Sequence, residues 1–315
     1  MKKALKIIGI ILAVAGVGVG IYFLVKKIKE KKALAAECEE IEGEINDKRG
    51  YCVKMAQRKF FKDSKNGVER LGYLEEVDNI NPTDLYNCYR EMLANSTVEI
   101  FVTAQQDNAI TAKFAQAFAG SENSGNAILP IEVMEKTEAE TYSEAMNIVQ
   151  GKVCLFYTSE RKLSEEERYH MLVASAIYGG TASSRLFKNV REKQSLCYYC
   201  AAAYNGFTGS MRVDSGVEHQ NCDKVVEAVQ KELNDIINGE ITEKEIAETK
   251  LVLLNSLDAV QDGLHGLEAW YLNEAIRGTW TAPEQVKEKV QAVTAQQIKD
   301  VLSLLHLNVV YKLTK

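Results

Sequence analysis

The segment that most constrains this chain spans residues 179–199 and reads GGTASSRLFKNVREKQSLCYY. Small residues open it, and the spacing after them predicts an amphipathic helix with its apolar side formed by Leu186, Phe187 and Val190. The helix ends in a charged cluster, and the chain then enters a predicted strand. Arg191 and Tyr198 are seven positions apart across this junction, so we expect both to project to the same side. An arginine fork and a tyrosine hydroxyl together can hold an extended peptide by its backbone carbonyls.

Apolar periodicity and helix caps predict mixed secondary structure around this segment. Strands are predicted at 98–103, 152–158, 196–204, 207–216 and 307–314. Helices are predicted at 34–62, 82–93, 109–118, 165–178, 220–238, 242–276 and 283–303. Two of them start at capping boxes, which are Ser164 with Glu167 and Thr242 with Glu245. Strands and helices are mixed and the two strands after Arg191 are adjacent, so we expect an α+β fold with helices on a mostly antiparallel sheet.

The N-terminus carries an uninterrupted apolar run at residues 7–25, with lysines on both sides. At about 1.5 Å per residue, the run is about 28 Å long, which matches the hydrocarbon core of a bilayer. A signal peptide is the alternative, but its cleavage site should follow the apolar run closely. The only suitable site, Ala33-Leu34-Ala35, is separated from the run by a basic stretch. The sequence therefore predicts a single-pass protein of the cell membrane that contacts lipid through residues 7–25.

Net charge and cysteine content limit the cellular compartments and the classes of partner that we expect for this chain. The net charge of -6 argues against a nucleic-acid partner. Seven cysteines form no regular disulfide framework, which favours a reducing compartment and a soluble region that faces the cytoplasm. The pair Cys197 and Cys200 has redox-motif spacing, but its apolar strand context favours buried structural thiols.

The histidines give no catalytic metal motif. There are four, at His170, His219, His265 and His306, and none belongs to a His-x-x-Glu-His sequence. A catalytic zinc usually takes three protein ligands, often histidines on one element. We therefore expect no catalytic residue, no metal site and no cofactor in this chain.

Residues 179–199 closely resemble the second domain of the insulinase (pitrilysin) family of zinc metallopeptidases, where the pattern is approximately S-R-L-F-x-x-V-R-E-K-x-x-L-x-Y. The resemblance extends from about residue 37 to residue 315. It includes INDKRGYC at 45–52 and INPTDLYNCYREML at 80–93. Within the family, the chain resembles bacterial proteins associated with 5-aminopentanol modification of elongation factor P. The resemblance implies α/β sandwich domains after the N-terminal transmembrane helix.

The short low-complexity loop SENSGN, residues 121–126, predicts a domain boundary, and the resemblance implies what lies on each side of it. Residues 1–35 would form the membrane anchor with its basic flanks, residues 36–125 an incomplete first α/β domain, and residues 126–315 a complete second domain. The first strands of the family's catalytic domain, with any zinc motif, are expected to be replaced by the anchor.

Arg191 and Tyr198 fall on the family's substrate-binding pair, while the zinc ligands are missing. The resemblance therefore implies a catalytically inactive subunit, not an enzyme on its own, that helps a zinc-peptidase partner to bind a peptide substrate. Two other functions stay open: a membrane-tethered interaction scaffold with no part in proteolysis, and an active zinc metalloendopeptidase with an unrecognised site. A structural interpretation also stays open, with Arg191 as a surface ion-pair residue and Tyr198 as a core aromatic residue.

Overall fold

A nearly continuous apolar strand, GKVCLFYTS at Gly151–Ser159, lies at the centre of the fold. Almost every one of its residues is buried, which is expected of a strand that is covered on both faces. The computed structural model describes residues 39, 43–62, 64–77, 79–96, 100, 108–117 and 132–315. The elements given below lie within these ranges.

The strands are Glu140–Ala145 (β1), Gly151–Ser159 (β2), Cys197–Asn205 (β3), Ser210–Val217 (β4) and Leu305–Thr314 (β5). The α-helices are Lys48–Phe60 (α1), Leu74–Val77 (α2), Pro82–Asn95 (α3), Asn108–Ala117 (α4), Glu165–Ser175 (α5), Cys222–Asn238 (α6), Glu243–Ala259 (α7), Leu264–Arg277 (α8), Pro283–Ala292 (α9) and Ala295–Leu302 (α10). Wider π-helical turns occur at Ala176–Gly180 and Leu186–Lys193.

The five strands form one sheet in the order β1-β5-β2-β4-β3. The β2–β4, β2–β5 and β3–β4 pairs are antiparallel, and the β1–β5 pair is parallel. The predicted α+β fold with a mostly antiparallel sheet is therefore confirmed. Strand β3 occupies one edge of the sheet and β1 the other.

The main hydrophobic core lies between one face of the sheet and the helices after β2. Sheet residues such as Leu155 and Val213 meet helix residues such as Val229 and Ile298, all of them fully buried. On the other face, Phe60 at the end of α1 stacks on Phe156 of β2, with 5.0 Å between the ring centroids. The central strands are thus covered on both faces by apolar side chains.

Two predicted long helices are each divided in the structure. The helix expected at 242–276 is two helices, α7 and α8, separated by a 3₁₀ turn at Val260–Asp262 and by Gly263 in an extended conformation. The helix expected at 283–303 is also two, because Thr294 leaves the helix and caps α10 by accepting a hydrogen bond from the Gln297 amide. Strand β1 was not predicted at all.

Contacts between Cα atoms divide the chain into two units. One comprises Met1–Tyr51 and Glu69–Ile80, and the other comprises Cys52–Val68 and Asn81–Lys315. In the first, the described elements are a 3₁₀ turn at Glu44–Asn46, the start of α1, and α2. The sheet and the sites discussed below belong to the second. The predicted domain boundary at 121–126 lies outside the described residues, so the division into 36–125 and 126–315 stays a prediction.

The predicted location in the cell membrane is corrected. Within the part of the chain that the structure describes, no helix combines the length and the apolar character needed to cross a bilayer. The longest described helices, α6 and α7, have 17 residues each and carry several charged side chains. The apolar run 7–25, on which the prediction rested, lies outside the described residues, as does most of the predicted strand 98–103.

Candidate functional site

The small residues that open the segment 179–199 allow the π-helical turn Ala176–Gly180 to lie directly on strand β3. A Cβ atom added at Gly179 would lie 2.6 Å from the Cβ atom of Ala202 on β3 and 2.8 Å from Leu186. Neither distance is possible for a real side chain, so the close approach requires glycine at this position. The sequence signal of small residues therefore reports a packing constraint between the helix and the sheet.

The helix that follows, Leu186–Lys193, has π-type geometry and is called the motif helix below. Its Gln194 amide donates a hydrogen bond of 3.1 Å to the Asn189 carbonyl, five residues earlier. Leu186 and Val190 are fully buried in the core. π-turns are rare and concentrate at functional sites. The wide turn changes the angular positions of the residues at the end of the motif helix, including Arg191.

A strained residue joins the motif helix to β3. Ser195 has a φ of 51°, in the left-handed region that non-glycine residues seldom adopt. The next amide, of Leu196, donates to the Val190 carbonyl over 3.2 Å. The chain therefore reverses within two residues, and the start of β3 lies beside the end of the motif helix.

A β-bulge then turns Tyr198 away from the core. Cys197 pairs with Val217 and Tyr199 pairs with Gly216, so Tyr198 is the extra residue between two consecutive pairs. Bulges of this kind re-aim side chains at sheet edges. The exposed fraction of Tyr198 is 48%. This value excludes the interpretation of Tyr198 as a core aromatic residue.

The Arg191 guanidinium lies over the Phe187 ring, with 4.4 Å from Cζ to the ring centroid. Its positive charge also reaches Cys197 at the start of β3, where it helps to lower the pKa of the thiol. Among the described residues, no carboxylate lies within salt-bridge distance of Arg191, so the interpretation as a surface ion-pair residue is not supported. A guanidinium on an aromatic face keeps its N–H donors available at its edge.

Glu218 completes this surface, and the sequence reasoning missed it. The Tyr198 hydroxyl donates a hydrogen bond to the Glu218 carboxylate. That bond raises the pKa of Tyr198 above the ordinary value of a tyrosine. The only sequence signal for Glu218 is its place directly after β4, whose last residue, Val217, pairs with Cys197.

The structure therefore places Arg191 and Tyr198 at the same end of β3, and it gives each a different partner. Among the described residues no hydrogen bond joins the two side chains. We call Arg191, Tyr198 and Glu218 the strand-end site. It offers guanidinium donors, a hydroxyl and a carboxylate at an exposed sheet edge, and groups of these types can form hydrogen bonds with a peptide backbone. Peptide binding by Arg191 and Tyr198 stays a prediction.

The histidines and acidic residues do not converge into a metal site within the described ranges: no three histidine, cysteine, aspartate or glutamate side chains are grouped as ligands there. His219 contacts Thr314 and the Ile148 carbonyl, each over 3.1 Å. His306 lies 3.0 Å from Glu160. These contacts connect neighbouring segments of the fold.

Comparison with models of known protein families shows to which family this chain belongs. Residues 79–253, more than half of the chain, match the model described as the peptidase M16 inactive domain. The chain belongs to this M16 inactive-domain family. The matched range contains the motif helix, β3, and all three residues of the strand-end site.

Relatives of this M16 chain agree with the family. It is 25% identical over 284 residues to the probable inactive metalloprotease YmfF of Bacillus subtilis strain 168, which covers 90% of this chain and 66% of that protein. This chain thus spans slightly less than two thirds of the length of that relative. A conserved protein from Enterococcus faecalis V583 has a crystal structure with a TM-score of 0.80 and 27% identity, covering 90% of this chain and 68% of the other.

A peptidase M16 inactive domain from Pseudomonas fluorescens shares the fold, with a TM-score of 0.72 at 14% identity and coverage of 90% and 70% of the two chains. The prediction that this M16 chain is a non-catalytic, peptidase-like protein is confirmed by the match to an inactive domain and by the inactive relative. The finer resemblance, to proteins associated with elongation factor P modification, stays a prediction.

Proposed function

We propose that this chain is the non-catalytic subunit of a peptidase complex and helps a zinc-peptidase partner to hold an extended peptide. The observation that carries the proposal is the strand-end site. There, a guanidinium without a carboxylate partner among the described residues and an exposed tyrosine lie at the same end of β3. The chain contains no His-x-x-Glu-His sequence, so the zinc chemistry in this proposal belongs to the partner.

Each group has a distinct part in binding. Arg191 donates two of its N–H groups to one or two peptide carbonyls, because its guanidinium lies over the Phe187 ring and presents a planar fork of donors. Tyr198 gives up its hydrogen bond to Glu218 and donates instead to a peptide carbonyl. Glu218 is then free to accept a hydrogen bond from a peptide N–H. Donors and an acceptor are therefore presented together, as an extended backbone requires.

The test starts from the native complex. The chain is purified under native conditions, the co-purifying proteins are identified by mass spectrometry, and peptide cleavage by the complex is measured with Arg191→Ala and Tyr198→Phe. Loss of a charge-assisted hydrogen bond costs about 1.5–3 kcal/mol, so KM should rise about 10- to 100-fold for Arg191→Ala. The turnover number should change little, since the zinc site lies in the partner.

Lys224→Ala is the matched control, because it removes one positive charge from an exposed position on α6. It should leave KM unchanged. A partner that carries His-x-x-Glu-His together with an unchanged KM for Arg191→Ala would remove the peptide-holding role and leave an interaction scaffold. One equivalent of zinc in this chain alone, with cleavage in the absence of a partner, would instead indicate an active peptidase.

A further inference from the structure

A second concave site lies at the opposite end of β3 from the strand-end site. Strand β3 has nine residues, so its two ends are separated by about 26 Å. Two adjoining cavities of about 490 Å³ and about 320 Å³ are found there, and they share Arg168, Tyr204, Gly206 and Arg277 as lining residues. The walls come from α5, α8 and the turn after β3. We call this the arginine cavity.

One buried carboxylate organises the two arginines. The side chain of Glu274 on α8 is only 4% exposed. Its Oε1 atom accepts hydrogen bonds from Arg168 over 3.1 Å and from Arg277 over 3.5 Å. Its Oε2 atom accepts from the Thr279 hydroxyl over 2.8 Å and from the Thr281 amide over 3.1 Å. Both carboxylate oxygens are therefore occupied.

The charges of the side chains around Glu274 do not sum to zero. Two guanidinium groups share one carboxylate, which leaves one positive charge at the cavity wall. The nearby Arg161 does not change this balance, because Glu167 neutralises it through hydrogen bonds of 2.8 Å and 2.5 Å. Lys162 and Glu165 also line the larger cavity, are exposed, and carry opposite charges.

Arg277 is the arginine with spare donors. Its only hydrogen bond in the described residues is the 3.5 Å contact with Glu274, although a guanidinium has five N–H donors. It stacks on Phe207, with 4.3 Å from Cζ to the ring centroid. Burial and the charge of Arg168 both lower the pKa of Arg277. An anion beside Arg277 would compensate both effects.

One part of the wall of the smaller cavity is apolar and aromatic. Trp270, Leu172 and Val286 line the smaller cavity beside the two arginines. Ligand sites typically combine such a wall with a few polar groups that fix orientation. A planar, bidentate guanidinium matches the geometry of a carboxylate.

We propose that the arginine cavity binds an organic carboxylate with an apolar neighbour, held by Arg277 and Arg168 and packed against Trp270. The carboxylate belongs either to the free carboxyl terminus of a peptide or to an acidic side chain. This site is independent of the strand-end site and of any zinc-peptidase partner.

The test follows the indole N–H resonance of Trp270 in the ¹⁵N-labelled full chain. Trp270 donates to the Thr281 carbonyl over 2.9 Å, and the Thr281 amide bonds Glu274, so the resonance reports on the carboxylate network. The chain has two tryptophans, and Trp280→Phe assigns the signals. Three probes are titrated: N-acetyl-leucyl-phenylalanine, its neutral amide, and N-acetyl-leucyl-aspartic acid amide.

We expect the free acid to shift the Trp270 resonance with a Kd of about 1 mM and the neutral amide to leave it in place. A shift with the aspartic acid amide alone would assign the carboxylate to a side chain, and a shift with the free acid alone would assign it to a carboxyl terminus. Arg277→Gln should weaken binding at least about tenfold, and Arg277→Lys should have an intermediate effect, because it keeps the charge but loses the fork.

Lys224→Gln removes a positive charge far from the arginines in sequence and should leave binding unchanged. Urea unfolding of each variant verifies that it is folded before the titration. The proposal is overturned by equal shifts with the free acid and its amide. It is equally overturned by unchanged affinity in folded Arg277→Gln, or by no saturable shift with either carboxylate up to about 20 mM.

Discussion

At the scale of single residues, the two cysteine thiols at the start of β3 differ in burial and in pKa more than the sequence suggested. Cys200 is buried in the core and Cys197 is partly exposed. A hydrogen bond with Cys200 and, more weakly, the charge of Arg191 lower the pKa of Cys197. The same hydrogen bond and burial raise the pKa of Cys200. The expected pair of buried structural thiols is thus one buried thiol and one with a stabilised thiolate.

We predict that Cys197 is alkylated by iodoacetamide much faster than Cys200, because the thiolate is the nucleophile. The rate at Cys197 should reach half of its plateau at a pH below the ordinary thiol value of 9.0, because the pKa of this thiol is lowered. Arg191→Ala should shift that profile to higher pH. Rates between pH 6 and pH 10 are read by mass spectrometry, with the exposed Cys88 as the comparison in the same sample. Identical profiles in the two proteins would mean that Arg191 does not reach Cys197.

The buried carboxylate of Glu274 makes the stability of the fold depend on pH. Burial raises the pKa of Glu274, but hydrogen bonds from Thr279 and Thr281 and the charge of Arg168 outweigh burial, so the net pKa is lowered. A carboxyl group with a lowered pKa in the folded state stabilises the fold above its unfolded pKa. That contribution is lost as the pH falls from the ordinary carboxyl range through the folded pKa.

We predict that Glu274→Gln lowers the free energy of unfolding at pH 7 by about 2 kcal/mol, because two guanidinium groups lose their shared carboxylate. Urea unfolding at pH 7 and at pH 3 measures the effect, and the difference from the unmodified chain should narrow at the lower pH. Glu227→Gln, on the exposed side of α6, is the control and should change stability by less than about 0.5 kcal/mol. An effect of equal size at both pH values would contradict the proposed linkage.

At the scale of elements, the contact between the π-helical turn Ala176–Gly180 and β3 depends on one glycine. We predict that Gly179→Ala destabilises the fold by about 3 kcal/mol, since the new methyl group would overlap the Ala202 backbone nitrogen and Cβ atom. Gly263→Ala is the control, because nothing lies within 4 Å of its added Cβ atom. Thermal unfolding of both variants measures the difference. Similar midpoints would show that the turn Ala176–Gly180 can move away from β3 at little cost in free energy.

Elements that are defined by local sequence signals were predicted well. Elements that are defined by contacts between distant parts of the chain were not. The capping boxes at Ser164 and Thr242 place the starts of α5 and α7 correctly, because a capping box is formed by residues three positions apart. The break after Ala259 has no proline to signal it, and Gly263 alone is tolerated within a helical pattern. Strand β1, ETYSEA, is polar and mostly exposed. Only its pairing with β5, far away along the chain, defines it.

The same distinction applies to the candidate sites. Arg191 and Tyr198 were predicted because they lie in one short motif. Glu218 and Glu274 were missed, because each is brought to its partners by the fold, and neither has a neighbouring residue that signals its role. Ser195 was missed because nothing in its type indicates a left-handed backbone.

At the scale of the whole molecule, the family match and the scattered histidines predict that the chain binds no stoichiometric zinc. After incubation with zinc and desalting, we expect less than about 0.1 zinc ions per chain by elemental analysis, since a catalytic site needs three convergent protein ligands. A zinc-binding M16 peptidase with an intact His-x-x-Glu-His motif, treated in the same way, is the control. One zinc per chain would restore the interpretation as an active metallopeptidase.

The order of strands in the sheet also determines when the sheet can be completed during synthesis of the chain. Strand β5 is the last of the five to leave the ribosome, yet it lies inside the sheet, between β1 and β2. About 150 residues separate the end of β2 from the start of β5, which corresponds to roughly 8 to 30 seconds of synthesis. During that time β1 has no neighbour in the sheet, and one side of β2 stays uncovered. We therefore expect the nascent chain to expose unpaired strand edges, which favour aggregation, until its last strand arrives.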